Sequence, residues 1–110
     1  VKEYALTVAS TAYCLTGTMA DSSYTREASV ASNMHPLGTK LTLERPGPGG
    51  RRLWIVRDRI GYGSQLDFWQ PSCATALSWG RRTVSYRLGW PVKRERWRKI
   101  RQRVFRWGGW

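Results

Sequence analysis

Histidine and acidic residues are scarce in this chain of 110 residues, and each shortage removes a class of chemistry. One histidine, His35, and two cysteines, Cys14 and Cys73, with no CxxC pair, leave nothing at metal-ligand spacing. No metal and no cofactor is therefore expected. No apolar run approaches the length of a membrane span. Seven Asp+Glu stand against 19 Lys+Arg, a formal net charge of +12 with a pI near 10.9. Charge of that sign speaks to anionic partners and solubility rather than to fold. Nucleic acid, anionic lipid and anionic cell-wall polymers all fit it.

What is abundant is aromatic and turn-forming. Seven Trp, five Tyr and 11 scattered Gly suit a turn-rich β protein better than a helical bundle. The aromatics can fill a compact core, line a sugar-binding cleft, or both. The length suits one domain with a tail. Residues 1–90 form the expected domain, and residues 91–110 carry eight of the Lys/Arg and one Glu. In that tail Trp97, Ile100, Val104 and Trp107 fall at helical spacing between the cations. The segment reads either as an amphipathic helix for an anionic surface or as a solvated disordered tail. The two cysteines suggest one disulfide in an oxidising compartment, the alternative being two buried free thiols. The chain begins at Val1 without Met, which leaves room for a removed N-terminal signal segment, and none is visible in the sequence.

Along the chain, residues 4–15 read as a first strand, and Ala28 to Ser32 as a short second. His35-Pro36-Leu37-Gly38-Thr39 is a turn. Lys40 to Glu44 alternates polar and apolar, as a half-buried strand does. Arg45 to Arg51 is a Pro/Gly connection leading into Trp54-Ile55-Val56, which is β-favouring. Ser72 is placed to cap a two-turn helix over Cys73–Trp79 that stops at Gly80. Arg81 to Leu88 alternates again as a last strand. Five or so short strands and one helix argue a small β-barrel or sandwich rather than βαβ units.

The stretch from Trp54 to Trp69 holds the best candidates for chemistry. Asp58 and Asp67 bracket a loop containing Gly61 and Gly63, between two apolar pieces. Carboxylates in such settings lose solvation and their pKa values become tunable. The plain alternative is that Asp58 caps a turn and Asp67 pairs with an arginine.

The order of pieces then becomes familiar. Thr11-Ala12-Tyr13 comes first, then Val30-Ala31-Ser32 before Pro36-Leu37-Gly38-Thr39. Asp58 and Leu66-Asp67-Phe68 follow, then Ala76 to Gly80 and Thr83-Val84-Ser85-Tyr86. This succession resembles the 3D (Asp-Asp-Asp) domain, related to MltA-type lytic transglycosylases and more distantly to RlpA-like proteins and expansins. The resemblance covers residues 8 to 89. It implies a mainly β fold, a small six-stranded double-psi β-barrel with one short helix, acting on or binding peptidoglycan. It places the catalytic acid on Asp67, with Asp58 orienting substrate or tuning that acid. Tyr13, Thr18, Asp21 and Thr39 become candidates for the cleft wall, each also explicable as turn or core chemistry. A Cys14–Cys73 disulfide would brace the catalytic loop from behind. The family's third aspartate falls a few residues before the Pro-Leu-Gly-Thr turn, where this chain reads Ala31-Ser32-Asn33. RlpA-like relatives carry a histidine nearby; here His35 is displaced to the position before the proline.

Ordinary glycoside hydrolysis needs two carboxyl groups. A lytic transglycosylase manages with one: the acid protonates the glycosidic oxygen, and its conjugate base then takes the proton of the muramic acid 6-hydroxyl. That hydroxyl closes a 1,6-anhydro ring, and the attack is intramolecular. Such an acid must be protonated near neutral pH. Leu66, Phe68 and Trp69 beside Asp67 favour this, whereas Arg57 and Arg59 oppose it if they face the carboxylates. The resulting expectation is a lytic-transglycosylase-like enzyme in the cell envelope or periplasm, acting on peptidoglycan glycan strands. The tail, 91–110, would hold it to anionic wall polymer or a membrane surface. An expansin-like, non-catalytic glycan-binding module is the main rival, favoured by the missing third acid. A nucleic-acid-binding barrel is the weakest reading, since no recognised motif is present and much of the charge lies in the tail.

Overall fold

The computed structural model describes residues 3–91. The expectations for the tail from Val92 onward lie outside the described residues. Six strands form: β1 (Leu6–Tyr13), β2 (Ser29–Ala31), β3 (Lys40–Leu43), β4 (Leu53–Asp58), β5 (Leu66–Trp69) and β6 (Arg82–Leu88). One helix, α1 (Cys73–Trp79), lies between β5 and β6, and a 3-10 turn over Pro48–Gly50 precedes β4. The strands close into a barrel in the order β1-β5-β2-β4-β3-β6. The pairs β1–β5 and β2–β4 are parallel, and the other four are antiparallel. This closed six-stranded mixed barrel with one helix is the architecture the resemblance implied.

Period-two burial makes the barrel. Leu41 and Leu43 on β3, Trp54 and Val56 on β4, and Leu66 and Phe68 on β5 all point into one core. Phe68 lies 4.6 Å from the Trp54 ring centroid and meets Trp79 of α1 edge-on at 6.1 Å. Burying a side chain such as Phe68 contributes about 2–3 kcal/mol. The tryptophans keep their polar ends satisfied. The Trp54 indole donates to the Arg51 carbonyl, and that of Trp79 to the buried Ser10 hydroxyl, which itself donates to the Arg82 carbonyl.

The helix follows its sequence signals. Ser72 Oγ accepts from the Thr75 N–H, and Gly80, at a φ of 63°, ends the helix. Cys73, the first helical residue, is disulfide-bonded to Cys14, which directly follows β1. The first strand begins at Leu6 rather than Tyr4. Tyr4 lies in a turn, and its hydroxyl accepts from Arg52 Nη2 at 2.8 Å.

Candidate functional site

Asp58 is the last residue of β4 and Asp67 the second of β5. Both strands flank β2, and both aspartates are register partners of the same residue, Ala31. A register shift between Val30 and Ala31 produces this alignment. On the other side of β5, Thr11 of β1 is paired with Asp67. Thr11 and Asp67 alternate with core-facing Ala12, Leu66 and Phe68, so they stand on the outer side of the barrel wall.

The two carboxylates have unequal surroundings. Asp67 is half-buried and accepts one hydrogen bond from the Thr11 hydroxyl, at 2.9 Å. Burial pushes its carboxyl up from the ordinary aspartate value; the Thr11 bond works against that, and the negative charge of Asp58 adds to it. Asp58 accepts from the backbone N–H groups of Ala20 and Arg59 through Oδ1, and from the Tyr13 hydroxyl through Oδ2 at 3.3 Å. Burial, and then the charges of Asp58 and Asp67, keep the Tyr13 phenol protonated well above its usual range. Tyr13 is thus held as a neutral donor beside both acids.

Neither neighbouring arginine answers the carboxylates. Arg57 is buried and donates through Nη1 to the Glu27 carbonyl and the Ser29 hydroxyl. Arg59 donates to the carbonyls of Ser32 and His35. Among the described residues neither aspartate is in an ion pair; Arg51–Glu27 and Arg87–Glu3 are the pairs formed. Asp58 does brace a turn, through its own neighbour's N–H and that of Ala20.

The remaining candidates divide. Tyr13 joins the acids directly. Thr18 is exposed, bridged to Tyr24 in the loop whose Ala20 N–H reaches Asp58. Asp21 turns back on that loop, accepting from the N–H and hydroxyl of Ser23. Those bonds, with the charge of Arg57, hold its carboxyl below the ordinary value despite the opposing effect of burial. The Thr39 hydroxyl donates to the Pro36 carbonyl within its turn, so its bond is a local one.

In the piece Ala31-Ser32-Asn33, where the resemblance would put a third acid, Ser32 is fully buried, its hydroxyl accepting from the Met34 N–H. Its neighbour Asn33 ties down the loop between the aspartates, donating to the Gly63 carbonyl and accepting from the Ile60 N–H. His35 is joined to the Tyr86 hydroxyl at 2.8 Å. Thr11 had no expected site role although it stands in the Thr11-Ala12-Tyr13 piece; its only signal was period-two alternation away from the core. Asn33 carried no such signal.

The arrangement can hold a proton on one carboxyl while the other stays solvated by backbone donors, the division of labour that acid–base chemistry requires. No family model matches this chain, and neither the curated proteins nor the solved structures give a match.

Proposed function

We propose that this barrel acts on peptidoglycan glycan strands as a lytic-transglycosylase-like enzyme, with Asp67 as the acid and then the base. The observation that carries the reading is the environment of Asp67. Its carboxyl is half-buried and without a cationic partner among the described residues. Burial and the neighbouring Asp58 favour the protonated form needed to donate a proton to a glycosidic oxygen. Asp58 and the neutral Tyr13 phenol then position sugar hydroxyls and maintain pressure on the Asp67 proton. A disulfide is compatible with an extracellular location. Residence in the cell envelope or periplasm, with residues 91–110 held on anionic wall polymer or a membrane surface, belongs to the same proposal.

A second reading, a glycan-binding module without catalysis, is favoured by Ser32. A buried serine occupies the place of the third acid and spends its hydroxyl on a local backbone bond.

The deciding experiment digests purified peptidoglycan and seeks 1,6-anhydro-muropeptides by mass spectrometry. The enzyme reading expects them from the native chain and not from Asp67→Asn. Product from the variant at the native rate overturns the role of Asp67. Absence of product with retained pull-down on the polymer selects the binding module.

A further inference from the structure

A polar pocket, away from the two aspartates, lies where β3 stops short of its neighbour. The last β3–β6 register pair is Leu43 with Tyr86, and the Glu44 N–H still reaches the Ser85 carbonyl. Beyond that point β6 has β1 on one side only. The gap opens a pocket of about 320 Å³ whose lining includes Glu44, Arg45, Trp79, Arg82, Thr83 and Ser85.

Its charges are arranged for a guest rather than for one another. Arg82 is fixed in place: Nε donates to the Trp79 carbonyl at 2.8 Å, Nη2 to the Ser78 carbonyl at 3.2 Å, and the guanidinium stacks 4.3 Å from the Trp79 ring centroid. Nη1 makes no hydrogen bond among the described residues. Arg45 and Glu44 share the pocket wall, yet among the described residues neither forms an ion pair, with each other or with Arg82. Two cations and one anion, unpaired among the described residues and set around an indole and two hydroxyl-bearing side chains, complement a ligand with both an anionic and a cationic end.

We propose that this pocket binds a short zwitterionic peptide. A carboxylate bridges Arg45 and the Nη1 edge of Arg82, and an ammonium group faces Glu44. The Thr83 and Ser85 hydroxyls complete the lining. This rests on the pocket alone and not on glycan cleavage. Register places the pocket near the acids all the same: Arg82 pairs with Ser10, and the next residue, Thr11, pairs with Asp67. Two strand spacings, roughly 10 Å, separate the backbones of Arg82 and Asp67 across β1.

The test is an NMR titration of the intact chain with three probes: alanyl-alanine, its C-terminal amide, and its N-acetyl form. Alanyl-alanine is expected to move the Thr83 and Ser85 amides and the Trp79 indole N–H. The amide should bind about tenfold more weakly, having lost its charge-assisted bonds. Arg45→Gln, which alters an exposed side chain with no hydrogen bond among the described residues, should shrink that difference. Glu44→Gln should erase the preference for the free amine. Equal binding of all three probes, or no movement at those three groups, overturns the proposal. The readout is binding, so a chain that cuts no glycan still reports on the pocket.

Discussion

Asp58 and Asp67 are aligned across β2, each the register partner of Ala31 from opposite sides, and the negative charge of one raises the proton affinity of the other. The coupling is built from strand order rather than from loop position. β4 and β5 are consecutive in sequence but are separated in the barrel by β2, so the loop carrying Gly61 and Gly63 passes over β2's end. Asn33, just after β2, binds that loop at Ile60 and Gly63.

Two substitutions should move the pH dependence of cleavage in opposite directions. An acid that must be protonated loses activity as pH rises through its pKa. Asp58→Asn removes a negative neighbour, lowers the Asp67 pKa and shifts the alkaline limb towards acid. Thr11→Val removes a donor that favours the carboxylate, and shifts the limb towards alkali. Rates of anhydro-product formation across pH check this. Limbs that move together, or not at all, exclude Asp67 as the titrating acid.

The disulfide should carry much of the stability of so small a barrel. Cys14 and Cys73 are 59 residues apart, and closing a loop of that length contributes about 4 kcal/mol in the chain-entropy account. Cys14→Ser with Cys73→Ser should lower the urea midpoint and raise the slope of unfolding, since the denatured chain without the cross-link exposes more surface. Reduction of the native chain should reproduce the effect.

The barrel was legible wherever local chemistry and period agreed. Ser72 and Gly80 bounded the helix correctly because capping is a contact within a few residues. Leu41/Leu43 and Val84/Tyr86 marked their core faces by alternation, though Leu88, in the same phase, lies exposed at the strand's end. The site was legible as a pair of acids but not as an environment. Whether Arg57 and Arg59 face the carboxylates depends on carbonyls some 24 to 30 residues away, at Glu27, Ser32 and His35. The shared alignment on Ala31 depends on an irregularity at Val30/Ala31, which leaves no mark in residue types. Asp21 and Thr39 sit in polar turns where a hydroxyl or carboxylate serves its own backbone as readily as a ligand.

Gly47 should not accept a side chain, for steric reasons alone. Its φ of −83° is ordinary, but a Cβ there would lie 2.7 Å from Leu43 Cδ1 and 3.0 Å from the Arg51 carbonyl oxygen. Leu43 is buried in the core and cannot withdraw freely. Gly47→Ala is expected to cost about 1–3 kcal/mol, read from urea unfolding. Gly50→Ala, next to the same turn, meets no atom within 4 Å but sits at a φ of 82°, so its loss would come from backbone strain instead.

His35 and Asp67 should tilt stability against pH in opposite senses. Burial lowers the His35 pKa, so the unfolded chain takes up a proton that the native state resists. Stability is therefore retained above the unfolded value, about 6.5, and lost as pH falls from there towards the lowered native value. Burial raises the Asp67 pKa, so the native state keeps a proton that the unfolded chain has released. Its contribution is lost as pH rises from about 3.9 through the raised native value. His35→Gln also forfeits the bond to the Tyr86 hydroxyl, but that loss is a constant offset wherever the imidazole is neutral. Only the change of the difference with pH carries the argument. Urea unfolding at pH 4.5 and 8 should show His35→Gln comparing better with the native chain at the lower pH. Asp67→Asn, measured at pH 3 and 7, should compare better at the higher. No trend in a variant would mean that its group is solvated in the folded chain, and the same trend in both would mean that one of the two shifts has the opposite sign.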